Sequence, residues 1–195
     1  LSPPARAALS EWLSLRDAPT FVTLSLAAIQ FFSNQQALER DLPTTAPGRI
    51  QRLLHYLKQH RCLLILDNAE SILQVGDRCG QYRPGYEAYG DLLRQVGTQQ
   101  HQSCVLITSR EQPWEISQLA GERLPVRAMQ LTGLAAEAGR SVVELKGSFA
   151  GTDQHWQRLV ELYGGNPLAL GIAAASIRDV FQRNVAAFLK HAVFA

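Results

Sequence analysis

Two short apolar runs constrain the fold more than anything else in the chain. They read Arg61-Cys-Leu-Leu-Ile-Leu-Asp67-Asn68 and Val105-Leu-Ile-Thr108-Ser-Arg110. Continuous runs this brief suit buried strands, and 63–66 has the composition of a strand covered by helices on both faces. Each run stops abruptly in polar groups. In a parallel α/β sheet such strand ends border the crevice where ligands bind.

The pattern between the runs supports that layer. Residues 9–15 have the makings of a strand containing Trp12, although Ser10, Glu11 and Ser14 blur its alternation. Pro19 precedes a mostly apolar helix at 21–33, and 34–46 reads as a polar loop. Pro47 opens the clearest helix, with Ile50, Leu53, Leu54 and Leu57 recurring on one face. Residues 76–85 form a glycine-rich loop, 86–99 a helix and 114–119 a short helix. A third strand is expected at 127–131. From 134 onward the period is helical throughout, with Gly164-Gly165 ending one helix, Pro167 opening the next and Asn184 capping a last one. Strand–helix alternation followed by consecutive helices argues for an α/β domain at 1–131 and a small all-helical domain at 132–195.

Composition excludes several classes. Apolar residues make up 46% of the 195, enough for packed cores, and the formal charge of +2 is too small to argue for nucleic acid. Three cysteines without a CxxC pair favour a reducing, cytoplasmic setting over a disulfide framework. No apolar stretch approaches membrane-spanning length. The five histidines lack metal-ligand spacing with acids or cysteines, and no GxSxG or nucleophile–base set is present.

The candidates for chemistry sit at the strand ends. Asp67 could hold the water shell of Mg²⁺ beside a polyphosphate, or could simply start a turn or cap a helix near 71–73. Arg110 offers a planar fork to a terminal phosphate, or could be a solvated loop arginine. Gly164-Gly165-Asn166-Pro167-Leu168 is explained by one helix ending and another beginning, and also offers a rigid proline ring to an adenine face.

Taken in order, Leu-Leu-Ile-Leu-Asp-Asn, Leu-Ile-Thr-Ser-Arg, Leu-Thr-Gly-Leu and Gly-Gly-Asn-Pro-Leu-Ala-Leu resemble the NB-ARC domain of STAND-type NTPases. The prokaryotic members, commonly fused to WD-repeat propellers, are the most similar, and the resemblance runs from about Trp12 to Leu189. It implies a partial P-loop NTPase sheet with flanking helices, followed by an ARC1-like helical domain. It implies an ADP/ATP-dependent switch in which ADP holds the closed state and ATP permits opening and assembly. By position, Asp67 matches the Walker B residue that holds Mg²⁺ through water, and Arg110 the sensor arginine near the γ-phosphate. Pro167 matches the adenine-contacting proline, and Asn68 and Thr108 join Asp67 and Arg110 in the nucleotide-binding set. A WD-repeat or other sensor domain is the implied C-terminal partner.

Two departures matter. Asn68 stands where the family often has a second acid; an amide is a poor general base, and Glu70 is the candidate substitute. No Gly-Lys-Ser or Gly-Lys-Thr occurs, since Lys146-Gly147-Ser148 has the wrong order. In the family that Walker A loop would precede Leu1, which is itself no initiator, so an upstream P-loop segment is an expected partner. Its backbone N–H groups and lysine supply most phosphate contacts, so the chain as it stands is expected to bind nucleotide weakly. The alternative is a scaffold or remnant that no longer binds it. The strand leading into that loop lies, in the family, between those matching 63–66 and 104–107. Without it the two are expected to pair directly or to await a partner, and 63–66 is not expected to have strands of this chain on both sides.

Overall fold

The computed structural model describes residues 9–76 and 79–192; the irregular lead-in expected at 1–8 lies outside them. The chain divides into two compact units, Leu1–Ala128 and Met129–Ala195. Among the described residues there are three strands and eight α-helices, and no helix is long and apolar enough to cross a membrane.

The first unit holds an all-parallel sheet in the order β1 (Leu9–Ser14), β2 (Cys62–Asp67), β3 (Cys104–Ile107). Its helices are α1 (Phe21–Phe32), α2 (Ala46–Gln59), α3 (Glu87–Thr98) and α4 (Trp114–Leu119). Thr20 caps α1 by accepting the Thr23 N–H, and Thr45 caps α2 by accepting that of Gly48, so each start follows from its own sequence. α1 buries Phe21, Leu24, Ser25, Ala28, Ile29 and Phe32 on one stripe; α2 buries Ile50, Leu53, Leu54 and Leu57. These stripes meet Tyr89, Leu92 and Leu93 of α3 over Cys62, Leu64 and Leu66 of β2 in one core. Arg49 is also buried there, its guanidinium donating to the carbonyls of Pro43 at 2.8 Å and Val22 at 3.0 Å. It ties the start of α1 to the loop before α2.

Three expectations change. β2 and β3 do pair directly, in the register Leu63↔Cys104 to Leu66↔Ile107. Yet β2 also has β1 on its other side, from Leu9↔Cys62 to Ser14↔Asp67, so 63–66 is flanked on both sides. The expectation considered only the two facing edges and left β1 out. Second, 127–131 is no strand: only an isolated bridge, Ala120↔Val126, forms there, and Met129 and Leu131 are 82% exposed. The segment does not reach the free edge of β1 or β3, so it forms no ladder with the sheet.

Third, helix cover on both faces of 63–66 is not found. Leu9, Leu13, Cys62, Leu64, Leu66, Val105 and Ile107 belong to the helix-packed core, whereas the opposite row Trp12–Ile65–Leu106 does not. Trp12 is 64% exposed and Leu106 49%. Right-handed crossovers stepping in one direction across a sheet place every helix on the same side, which is the case for β1–β2–β3.

α3 and α4 are held by a buried carboxylate. Glu115 accepts from the Tyr82 hydroxyl at 2.9 Å and from Arg94 at 3.1 Å. Burial and the Glu115 carboxylate push the Tyr82 phenol far above its usual value.

The second unit packs α5 (Ala136–Glu144), α6 (Asp153–Leu162), α7 (Pro167–Asp179) and α8 (Val185–Ala192) around Val143, Trp156, Leu159, Leu170 and Ile177. His155 closes a capping box with Thr152. Asn184 caps α8 by accepting the Ala187 N–H at 3.0 Å. Thr132-Gly133 and Gly164-Gly165 meet backbone to backbone, with the Leu134 N–H donating to the Gly165 carbonyl at 2.9 Å. A Cβ on Gly133 would lie 1.9 Å from the Gly164 oxygen, so both glycine motifs are needed for one contact.

Two outcomes are expected. Trp12→Thr with Leu106→Thr removes exposed apolar groups and should change stability by no more than about 1 kcal/mol while lowering binding of a hydrophobic dye. Glu115→Ala strands the Tyr82 hydroxyl and should cost about 2 kcal/mol in denaturant unfolding.

Candidate functional site

Direct pairing of β2 with β3 continues past the strand ends and builds the site. The Thr108 N–H donates to the Leu66 carbonyl at 3.0 Å, and the Ala69 N–H to the Thr108 carbonyl at 2.9 Å. The Asp67 carbonyl accepts the Leu15 N–H at 2.7 Å on the other side. Asp67 and Thr108 are thereby side by side at the carboxyl edge, and the Thr108 hydroxyl donates to the Asp67 carboxylate. The Asn68 N–H donates to the same hydroxyl oxygen at 3.2 Å.

The chain must turn sharply here, and Asn68 does so with φ 63°, ψ 46°. Asparagine tolerates this left-handed conformation better than most residues, a local reason for an amide at this place. The turn leads into a short 3₁₀ segment, Ala69–Ile72, which carries Glu70 back toward the β3 end. Glu70 accepts the Arg110 Nε–H at 2.9 Å and the Arg110 backbone N–H at 3.3 Å, with the Asn68 amide 3.5 Å away. The Glu70 side chain is only 12% exposed and that of Arg110 86%. The cation thus stands in solvent on a half-sequestered anion.

Burial by itself raises the Glu70 carboxyl. Its own backbone N–H, the Arg110 guanidinium and backbone, and the Asn68 amide outweigh this and leave it below the usual glutamate value. A carboxylate so held is a weak proton acceptor. Its geometric role is to position Arg110.

A second loop braces the edge. Gly80, at φ +70°, lies so close to Gln112 that a Cβ would be 2.0 Å from its carbonyl oxygen, and the Trp114 N–H donates to the Gly80 carbonyl at 3.0 Å. The loop after β2 is thereby sealed onto the loop after β3, which carries Arg110.

Asp67, Asn68, Glu70, Thr108 and Arg110 therefore share one edge of the first unit. Pro167 belongs to the second, at the first position of α7, where the Asn166 side chain accepts the N–H groups of Leu168 and Ala169. The helix start accounts for Asn166-Pro167 by itself. Hydrogen bonding gives the edge groups partners that sequence order alone did not supply: Thr108 for Asp67, and Glu70 for Arg110.

As a phosphate site the edge is partial. One carboxylate oxygen of Asp67 has no hydrogen bond among the described residues, and the Arg110 fork is open to solvent. Among the described residues no group of three His, Cys, Asp or Glu side chains is arranged to hold a metal. Asp67 could thus hold Mg²⁺ only together with water and phosphate oxygens.

No protein-family model matches the chain. It is 50% identical over 179 residues to a protein of Nostoc sp. named as an uncharacterized WD repeat-containing protein. The match covers 92% of this chain but 14% of that relative, so the chain spans about one seventh of its length.

The Glu70–Arg110 pair makes a pH prediction. Because the folded-state value of Glu70 is depressed, its stabilisation is present above the ordinary glutamate range and lost as pH falls through it, from about pH 4.5 downward. Unfolding measured against pH should show this acid loss, and Glu70→Gln should flatten it.

Proposed function

We propose that the chain is part of a nucleotide-dependent switch of the NB-ARC/STAND type, with ADP or ATP and Mg²⁺ as ligands of the complete domain. The observation carrying this reading is the edge cluster: a carboxylate at the end of β2 and a guanidinium just past the end of β3, on adjacent parallel strands. The order of the sequence motifs and the helical unit after the sheet support it. Asp67 would hold the cation's water shell, and Arg110 would meet the terminal phosphate. Bound Mg²⁺ would supply neutralisation of phosphate charge.

Switching requires contacts that differ between two states. Arg110 offers such a difference, because a phosphate oxygen and Glu70 compete for one guanidinium. Glu70 is then the resting partner that keeps the cation in place. In the whole protein a WD-repeat domain is the proposed partner, in line with the name of the relative. A cytoplasmic site of action fits the cysteine usage.

A second reading, a scaffold that no longer binds nucleotide, is favoured by one observation. Asp67 and Arg110 already have partners in Thr108 and Glu70.

Calorimetric titration with ADP–Mg²⁺ separates the two. A version extended upstream to include a phosphate loop should bind, this chain alone should bind weakly, and Asp67→Asn in the extended form should weaken binding about tenfold or more. Binding by neither form sinks the switch reading and leaves the scaffold.

A further inference from the structure

The opposite end of the sheet carries a separate cleft of about 430 Å³. It lies where β1 begins and α2 ends, so it faces away from the carboxyl edge described above. Leu9, Phe32 and Ala37 give it an apolar floor, and Asn34, Gln36, Arg52, Tyr56 and His60 supply its polar groups. No Asp or Glu lines it.

Those five polar side chains have unused capacity. Among the described residues, none makes a side-chain hydrogen bond, and Arg52 has no carboxylate partner. The Arg52 guanidinium sits 5.7 Å above the Tyr56 ring, and the Tyr56 and His60 rings are inclined by only 22° with centroids 6.5 Å apart. The cation is thus steered over an aromatic face rather than neutralised.

The loop forming one wall has a fixed shape. Asn34 and Gln35 both have positive φ, 53° and 62°, a conformation costing non-glycine residues on the order of 1 kcal/mol each. It is held by the Ser33 hydroxyl, which donates to the Gln30 carbonyl and accepts the Ala37 N–H, both at 3.0 Å. Asn34 and Gln36 are presented from this clamp.

The C-terminal ends of α1 and α2 border the cleft, and their dipoles disfavour an anion by roughly half a charge each. Several carbonyls near these ends are bonded elsewhere, although those of Phe32 and Gln59 accept no hydrogen bond among the described residues. The Ser103 hydroxyl bonds to the Leu57 and His60 carbonyls, the Gln102 amide donates to Lys58, and the Ser33 and Gln35 N–H groups donate to Ile29 and Gln30. Against these dipoles the cleft sets the full guanidinium charge of Arg52 and the neutral polar side chains around it.

We propose that this cleft binds an oxyanion carried on an aromatic ring, with the anion on Arg52 and the carboxamides of Asn34 and Gln36. The ring lies against Leu9, Phe32 and Ala37. A pocket of this size with an apolar floor and a few convergent polar groups suits a small molecule. Its place at the amino ends of the strands separates it from the carboxyl edge.

The test uses phenyl phosphate and inorganic phosphate as probes, followed by NMR shifts of the Asn34, Ala37 and Tyr56 resonances in the chain as it stands. Saturable binding of phenyl phosphate, much weaker binding of inorganic phosphate, and at least about a tenfold loss in Arg52→Gln are expected. Arg52→Lys should recover only part of that loss, since it keeps the charge without the fork. Arg52 is exposed and has no ion pair among the described residues, and the dispersion of the remaining resonances reports whether each variant is folded. Absence of saturable shifts, equal binding of the two probes, or unchanged affinity in folded Arg52→Gln would overturn the proposal.

Discussion

Backbone pairing between β2 and β3 positions every group of the carboxyl-edge cluster. It aligns Leu66 with Ile107 and so brings Asp67 beside Thr108. From that alignment follow the turn at Asn68, the return of Glu70 and the placement of Arg110. A slip of one residue would reverse the side chains of β3 relative to the core and move Thr108 away from Asp67. The edge cluster is thus as well defined as the hydrophobic alternation behind it, in which Val105 and Ile107 pack on the helices and Cys104 and Leu106 do not.

The same pairing leaves the molecule asymmetric. Three parallel strands connected in one direction carry α1, α2 and α3 on a single face, and the row Trp12–Ile65–Leu106 is left on the other. Parallel sheets are ordinarily covered on both sides. Polar groups at the two strand ends are also arranged differently: at the carboxyl edge they bond to one another, and at the amino end their side chains make no hydrogen bonds among the described residues.

In the second unit, backbone proximity explains composition. Gly133 and Gly165 are required because two chain segments touch through their main chains, with Leu134 bonded to Gly165, whereas Gly164 is favoured by its positive φ of 57°. Asn166 and Pro167 follow as an ordinary helix start. Motifs that look like functional signatures in one dimension can thus have a complete structural cause, and the nucleotide reading draws its weight from the edge cluster instead.

Much of the element order was legible because it depends on near neighbours. The span 104–107 and the spans of α2, α4, α6 and α7 follow from apolar period, Thr and Asn caps and Pro or Gly stops. The third strand at 127–131 was misread, because alternation says nothing about whether a free edge is within reach. Cover on both faces of β2 was misread for a related reason: Leu63 and Leu64 look alike in sequence, and only crossover handedness decides which meets a helix. The sequence determined by itself that Asp67 and Arg110 would each follow an apolar strand. Tertiary structure decided that Thr108 would bond to the first and Glu70 to the second, because hydrogen bonds between side chains about forty positions apart exist only once strand register has been chosen.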